Sequence, residues 1–315
     1  MTFAPRVAVL MLAAFGAANL LFSAGLLFNW RRVASSTHAP TIVALRSMPA
    51  ALSALVVLLA GLALAFFEPR GDETTGTMFL VFAAFGAACL LRMAFVAARG
   101  QLRARRIVRR WMTSPAPITL PGATIPVVAV TSAFPIVAVV GLWRPRMIIG
   151  RSVVAACSAR ELAAIAAHEQ EHVSARHNLS RMWLAAMPDA VSWLLVGHRI
   201  AGQWTLAAER QADDASARAG ATGHLDLASA LVRVARLAPA GVSPMDVPVS
   251  ALFRGESPEK SIDQRVRRLL DRGKTTIDPR PLRRALLAAG AGFAAALLNL
   301  RLIHEILEVA VEHLP

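Results

Sequence analysis

Ser158-Ala159-Arg160-Glu161-Leu162-Ala163-Ala164-Ile165-Ala166-Ala167-His168-Glu169-Gln170-Glu171-His172 is the stretch that decides how this chain is read. Ser158 and Glu161 form a capping box: the serine oxygen accepts from a backbone N–H, and the glutamate reaches back to the serine's own N–H. The alanine-rich run that follows consists of good helix formers. His168 and His172 therefore fall well inside a helix. Residues four apart share one helical face, so both imidazoles can reach a single metal ion. Glu169 stands beside them. The pattern is H-E-x-x-H, in which two histidines hold zinc and the carboxylate serves as general base. Zinc lowers the pKa of its bound water to about 7, and Glu169 is placed to take the proton.

Structural zinc takes four protein ligands, whereas catalytic zinc takes three and leaves a position for water. The third donor is found in Leu206-Ala207-Ala208-Glu209-Arg210-Gln211-Ala212-Asp213-Asp214-Ala215, a second helical segment whose small residues permit close packing. Glu209 and Asp213 lie four apart on one face. Glu209 is the candidate ligand. Asp213 is the candidate acceptor for the outer N–H of a ligand histidine, which would fix the ring's orientation. Asp214 falls on another face and is assigned to the surface. One zinc ion per chain is implied.

These two helices, together with Ser261-Ile262-Asp263-Gln264-Arg265-Val266-Arg267-Arg268-Leu269-Leu270, resemble the gluzincin membrane peptidases. Two groups share the elements: the BlaR/MecR-type antirepressor peptidases, and the HtpX-like and CAAX-prenyl-protease group. The resemblance covers roughly residues 130–270. It implies that His168, His172 and Glu209 are the metal ligands and Glu169 the general base. Residues 135–142 read as a strand, 143–146 as a turn and 147–150 as a returning strand. In such peptidases an edge strand beside the active helix resembles a docking rail, because an open edge offers unpaired N–H and C=O groups to an extended peptide. A plain structural hairpin is the alternative. The chain has no tyrosine, so a second donor to the oxyanion would be His177, His198, His224 or an arginine, and the sequence does not separate them.

Composition places this machinery beside a bilayer. Hydrophobic residues make up 56% of the 315, and mean hydropathy is +0.50, too apolar for an ordinary soluble domain. Uncharged apolar runs cover residues 7–28 and 48–67, and a third covers 78–98, broken only by Arg92. A span needs about 20 such residues, and Arg92 lies near enough to an end to snorkel. A shorter run, 285–300, either spans with local thinning or lies in the interface. The first run is longer than the apolar core of a cleaved signal peptide, and Arg31 and Arg32 follow it like a stop-transfer signal. The first loop carries Arg31, Arg32 and Arg46. The second carries Glu68, Arg70, Asp72 and Glu73. Arg99, Arg103, Arg105, Arg106, Arg109 and Arg110 follow the third run. By the positive-inside rule the amino terminus faces out and the segment after residue 98 faces the cytosol.

The reading is of a mainly α membrane protein. Residues 1–98 form three transmembrane helices, and 99–126 a basic juxtamembrane segment and linker. Residues 127–284 form a cytosolic α+β gluzincin metallopeptidase domain with a small edge hairpin, and 285–315 a fourth transmembrane or interfacial helix and tail. Within the peptidase domain, 182–200 reads as a buried or lid helix between the two metal helices, with contact to the bilayer as the alternative, and proline-rich 237–259 as a loop. Helix 261–270 packs through Ile262, Val266, Leu269 and Leu270, with its basic residues on another face.

The net charge is +14, nearly all of it between residues 99 and 284. An anionic leaflet attracts such a surface by about 1 kcal/mol per nearby basic residue. No DNA-reading element accompanies it, so no direct nucleic-acid partner is expected. The partners implied are the bilayer and a protein substrate. Cys89 and Cys157 read as unpaired, small buried residues. The function expected is a multi-pass cell-membrane zinc endopeptidase that cuts a regulatory protein such as a transcriptional repressor. HtpX-like membrane protein quality control is the alternative. A zinc-binding membrane adaptor without turnover is an alternative of another class.

Overall fold

Three long helices open the chain: α1 (Phe3–Ala34), α2 (Ala39–Phe67) and α3 (Thr77–Trp111). In this computed structural model the described residues are 3–67, 77–112, 114–132, 134–238 and 258–271, with Arg301 and Glu305. Each of the three helices is long and apolar enough to cross a membrane. They pack closely through small residues. A Cβ on Gly16 would lie 2.1 Å from Phe82 O, and one on Gly86 would lie 2.4 Å from Leu12 O, so α1 and α3 touch backbone to backbone there.

The helices outrun their apolar stretches. Arg31 and Arg32 sit in the last turn of α1, and residues 35–38 alone connect it to α2. Arg46 is therefore helical, not part of a loop, and it is buried. Arg99 through Arg110 continue α3 without a break. Arginine is a good helix former, so a change of solvent does not end the helix.

A four-stranded mixed sheet follows. β1 (Ala116–Ile118), β2 (Val127–Val130), β3 (Val137–Val140) and β4 (Arg146–Gly150) stand in the order β1-β2-β4-β3. β2 runs parallel to β4, and the other pairs are antiparallel. The expected hairpin is thus the outer half of a larger sheet. The segment assigned to a linker contains β1 and a turn at Gly122, where φ is +76°, as glycine permits. Strands this short are set by their neighbours, and 116–118 carries no alternation of its own.

The helical half comprises α4 (Arg151–Ala156), α5 (Ala159–Ser174), α6 (His177–Ala186), α7 (Leu195–Ala215), α8 (Gly223–Arg236) and α9 (Pro258–Leu270). The capping box forms at the start of α5: Ser158 N donates to Glu161 Oε2 at 2.7 Å, and Glu161 N to Ser158 Oγ at 3.3 Å. One core joins the sheet to α5, α8 and α9 through Val137, Met147, Ile149, Ile165, Leu231 and Leu269. Leu270 does not share in it and is exposed, because it lies a further 100° round the helix from Leu269.

Residues 182–200 are not one lid helix. The helix breaks at Pro188, which has no N–H to donate, and all three apolar helices hold the break. Asn19 of α1 donates to Pro188 O at 2.8 Å and accepts from Ala190 N at 3.1 Å. Arg46 of α2 bridges both Asp189 oxygens and donates to Ser192 Oγ at 2.8 Å. Arg92 of α3 donates to Met187 O at 3.2 Å and Ser192 O at 3.1 Å. Around these bonds Leu184, Met187, Val191 and Ile200 pack with Leu26, Val33 and Ile42. The segment is the joint between the apolar helices and the rest. The 239–257 part of the proline-rich loop, the 285–300 run and residues 306–315 lie outside the described residues.

Arg46 and Asp189 are 2% and 0% exposed, and a buried pair that loses one member costs about 3–5 kcal/mol. Asp189→Ala should therefore lower stability by that amount in a detergent-solubilised unfolding series. The double change Arg46→Met/Asp189→Leu should recover most of it, because no charge is then left unpaired.

Candidate metal centre

The site lies where α5 and α7 meet. Ala207, Ala208 and Ala212 of α7 are buried, and side chains this small let the two helix axes come close. His168 and His172 stand one turn apart on α5, as their spacing requires. Their Nε2 atoms are 3.2 Å apart. Glu209 of α7 faces both: its Oε2 is 3.7 Å from His168 Nε2, and its Oε1 is 3.7 Å from His172 Nε2. One donor atom from each of the three lies within 4.8 Å of the others. Tetrahedral zinc with ligand bonds near 2.0–2.1 Å has ligand atoms about 3.3 Å apart, so the spacing suits a zinc ion. Both Glu209 oxygens and both Glu169 oxygens are buried, as suits a site whose counter-charge is a cation. Two imidazoles and one carboxylate form a catalytic rather than a structural donor set.

Asp213, one turn beyond Glu209, has its Oδ1 3.2 Å from His168 Nδ1. Nδ1 is the outer nitrogen of that ring, so the carboxylate fixes which tautomer faces the centre. Burial acts to raise the Asp213 pKa. The Arg265 charge and the hydrogen bonds from His168 and Arg265 outweigh it and hold the group at about 2. His168 is moved the other way: burial lowers it, but Asp213 leaves its pKa raised. Glu169 is pushed up to about 7, chiefly by burial, while the His168 charge and the Val139 N–H pull it partly back. Burial likewise raises Glu209.

The sequence puts the basic residues of 261–270 on a face away from the core, but Arg265 lies on the packed face instead. It is only 8% exposed, with Nε 3.0 Å from Asp213 Oδ2 and Nη1 3.3 Å from Glu209 Oε2. Its signal was present in the spacing. Ile262, Val266 and Leu269 mark the packed face of α9, and position 265 lies on it. An arginine in an apolar stripe needs a buried anion. Of the four candidate oxyanion donors, His177 packs against His172 instead. His198 is exposed and bonds to Leu194 O, and His224 sits half-buried in the first turn of α8. Asp214 pairs with Arg268 at the surface, as its face predicts. Cys89 and Cys157 are buried and unpaired.

β3 is the edge strand expected beside α5, but its outward rung is partly taken. Asn178 Nδ2 donates to Val139 O at 3.1 Å and Gly141 O at 3.3 Å, and Glu169 lies against the Val139 N–H.

Removing Arg265 leaves two buried carboxylates without their cation. Arg265→Met should cost the metal-free protein about 3–5 kcal/mol, and zinc should restore part of that loss because it binds only the folded state. Denaturation with and without zinc checks both. Glu209→Ala should leave the purified protein with less than half its zinc by elemental analysis. Full occupancy would mean that another side chain supplies the third ligand.

No curated protein sequence matches the chain. A family model, that of peptidase family M48, matches residues 98–272. The matched segment runs from the basic end of α3 to just past α9 and contains every residue of the cluster. It covers more than half of the 315 residues. On that match the chain belongs to peptidase family M48, a family of gluzincin metallopeptidases.

Proposed function

We propose that this protein is a membrane-embedded zinc endopeptidase that hydrolyses a protein substrate at the cytosolic face. The observation that carries the reading is the buried trio His168, His172 and Glu209, with the buried carboxylate of Glu169 beside it. Zinc held there would supply an acidified water and polarise the scissile carbonyl. Glu169 is the general base: it takes the proton from the attacking water and gives it to the departing amine. Asp213 and Arg265 keep His168 and Glu209 oriented. A zinc-binding adaptor has no use for a buried carboxylate in this position, which favours turnover.

The membrane location rests on the three apolar helices, and the orientation on the placement of their arginines. The substrate enters as an extended strand along β3 and replaces Asn178 as the donor to Val139 O and Gly141 O. The leading reading of the substrate is a regulatory protein such as a transcriptional repressor, by the BlaR/MecR resemblance. The grip of all three apolar helices on residues 185–192 favours a second reading, HtpX-like quality control. It holds the helices of the site against the helices that membrane-borne substrates would approach.

Glu169→Ala is expected to retain zinc and to lower kcat about 10²–10⁴-fold, the usual contribution of a general base. New protein amino termini in cells with the wild-type chain and with this variant test the whole reading. A dominant terminus in one regulatory protein supports the first substrate class, and many termini in membrane proteins support the second. Undiminished cleavage by the variant would remove Glu169 from the mechanism.

A further inference from the structure

His177 opens α6 immediately after Arg176, whose φ of +52° and ψ of +39° are left-handed. That turn folds α6 back along α5 and brings His177 onto the outer edge of His172. The His177 side chain is buried. Its Nδ1 is 2.7 Å from His172 Nδ1, and the two rings meet at 66° with centroids 4.9 Å apart. On its other side the ring stands at 90° to Trp204, centroids 5.8 Å apart. It is therefore clamped between a second helix and the histidine it touches.

Two ring nitrogens this close need one proton between them: two would clash, and none would repel. His172 Nε2 faces His168 and Glu209, so it is the ligand atom and must be bare. The shared proton then belongs to His172 Nδ1, and His177 Nδ1 accepts it. His177 then carries its own proton on Nε2, which is buried without a hydrogen-bond partner among the described residues. Nearby, Gln211 of α7 donates its amide nitrogen to Glu171 Oε1 at 2.7 Å. Glu171 also accepts from Arg218, whose side chain is 60% exposed. His168 leans on a carboxylate, whereas His172 leans on an imidazole.

We propose that His177 is the positioning residue of His172, accepting its Nδ1–H and so presenting Nε2 to the metal. The inference rests on the reading of His172 as a ligand. The test is zinc affinity of the full chain in detergent, measured by competition with a fluorescent zinc chelator, with melting of the metal-free protein followed alongside. His177→Phe keeps a ring against Trp204 but cannot accept, and affinity should fall about 10–100-fold, as for other outer partners of ligand histidines. His177→Asp restores an acceptor in a different shape and should bind zinc at least as tightly as wild type. A residue that merely packs would not be rescued in this way. If His177→Phe does not fold, His177→Ala against His177→Asp makes the same comparison. Wild-type affinity in His177→Phe, or equal weakening in the Asp and Phe replacements, overturns the inference. His172→Ala separates the two levels. Zinc retained at wild-type affinity there overturns the ligand reading itself. Zinc lost there but unchanged in every His177 variant overturns only the positioning role.

Discussion

Asp213 is the residue on which the site turns. It is 1% exposed, and a carboxylate so deep is tolerable only with charged partners and good geometry. His168 Nδ1 meets one oxygen, and Arg265 spans both. One side chain of α7 thereby fixes a ring on α5 and holds α9 against the pair. The geometry of the centre follows. With His168 locked from outside, its Nε2 points to Glu209, and Glu209 leaves α7 one turn before Asp213. Arg265 also lies close to Glu209, so one guanidinium serves both carboxylates of α7.

The outer supports of the two histidines are unequal. His168 is held by a carboxylate already paired with an arginine. His172 is held by His177, itself set by an αL turn and by Trp204. A carboxylate adds negative charge to the ring it supports and a neutral imidazole does not, so the two candidate ligands differ in basicity although they come from one short motif. Burial acts against charge on His172, and its pKa lies well below the ordinary value.

A second constraint lies at the far end of α7. Asn19, Arg46 and Arg92, one from each apolar helix, bond to residues 185–192, where Pro188 has broken the chain. Polar groups in an apolar setting are satisfied only by one another or by backbone, so the bonds fix how the helices meet the joint. Glu209 stands on α7 roughly 20 Å beyond its first residue, at 1.5 Å per residue. One continuous helix therefore runs from the joint to the Glu209 carboxylate.

Local pattern settled much of this from the sequence alone. The capping box placed α5, the i, i+4 spacing put His168 with His172 and Glu209 with Asp213, and runs of about 20 apolar residues marked three long helices. Each of these signals lies within a few turns of chain, where helical periodicity is rigid. Partnership across distance was not legible. Arg265 finds Asp213 and Glu209 from more than fifty residues away, and Arg46, which reads as a loop charge, finds Asp189 from α2. β1 and β2 do not stand out because strands of three or four residues take their register from the sheet. The position of His177 against His172 depends on an αL turn at an arginine, which the residue type does not announce. Helix and hydropathy are encoded in neighbours along the chain, whereas the pairing of buried charges is chosen only when packing decides which of them meet.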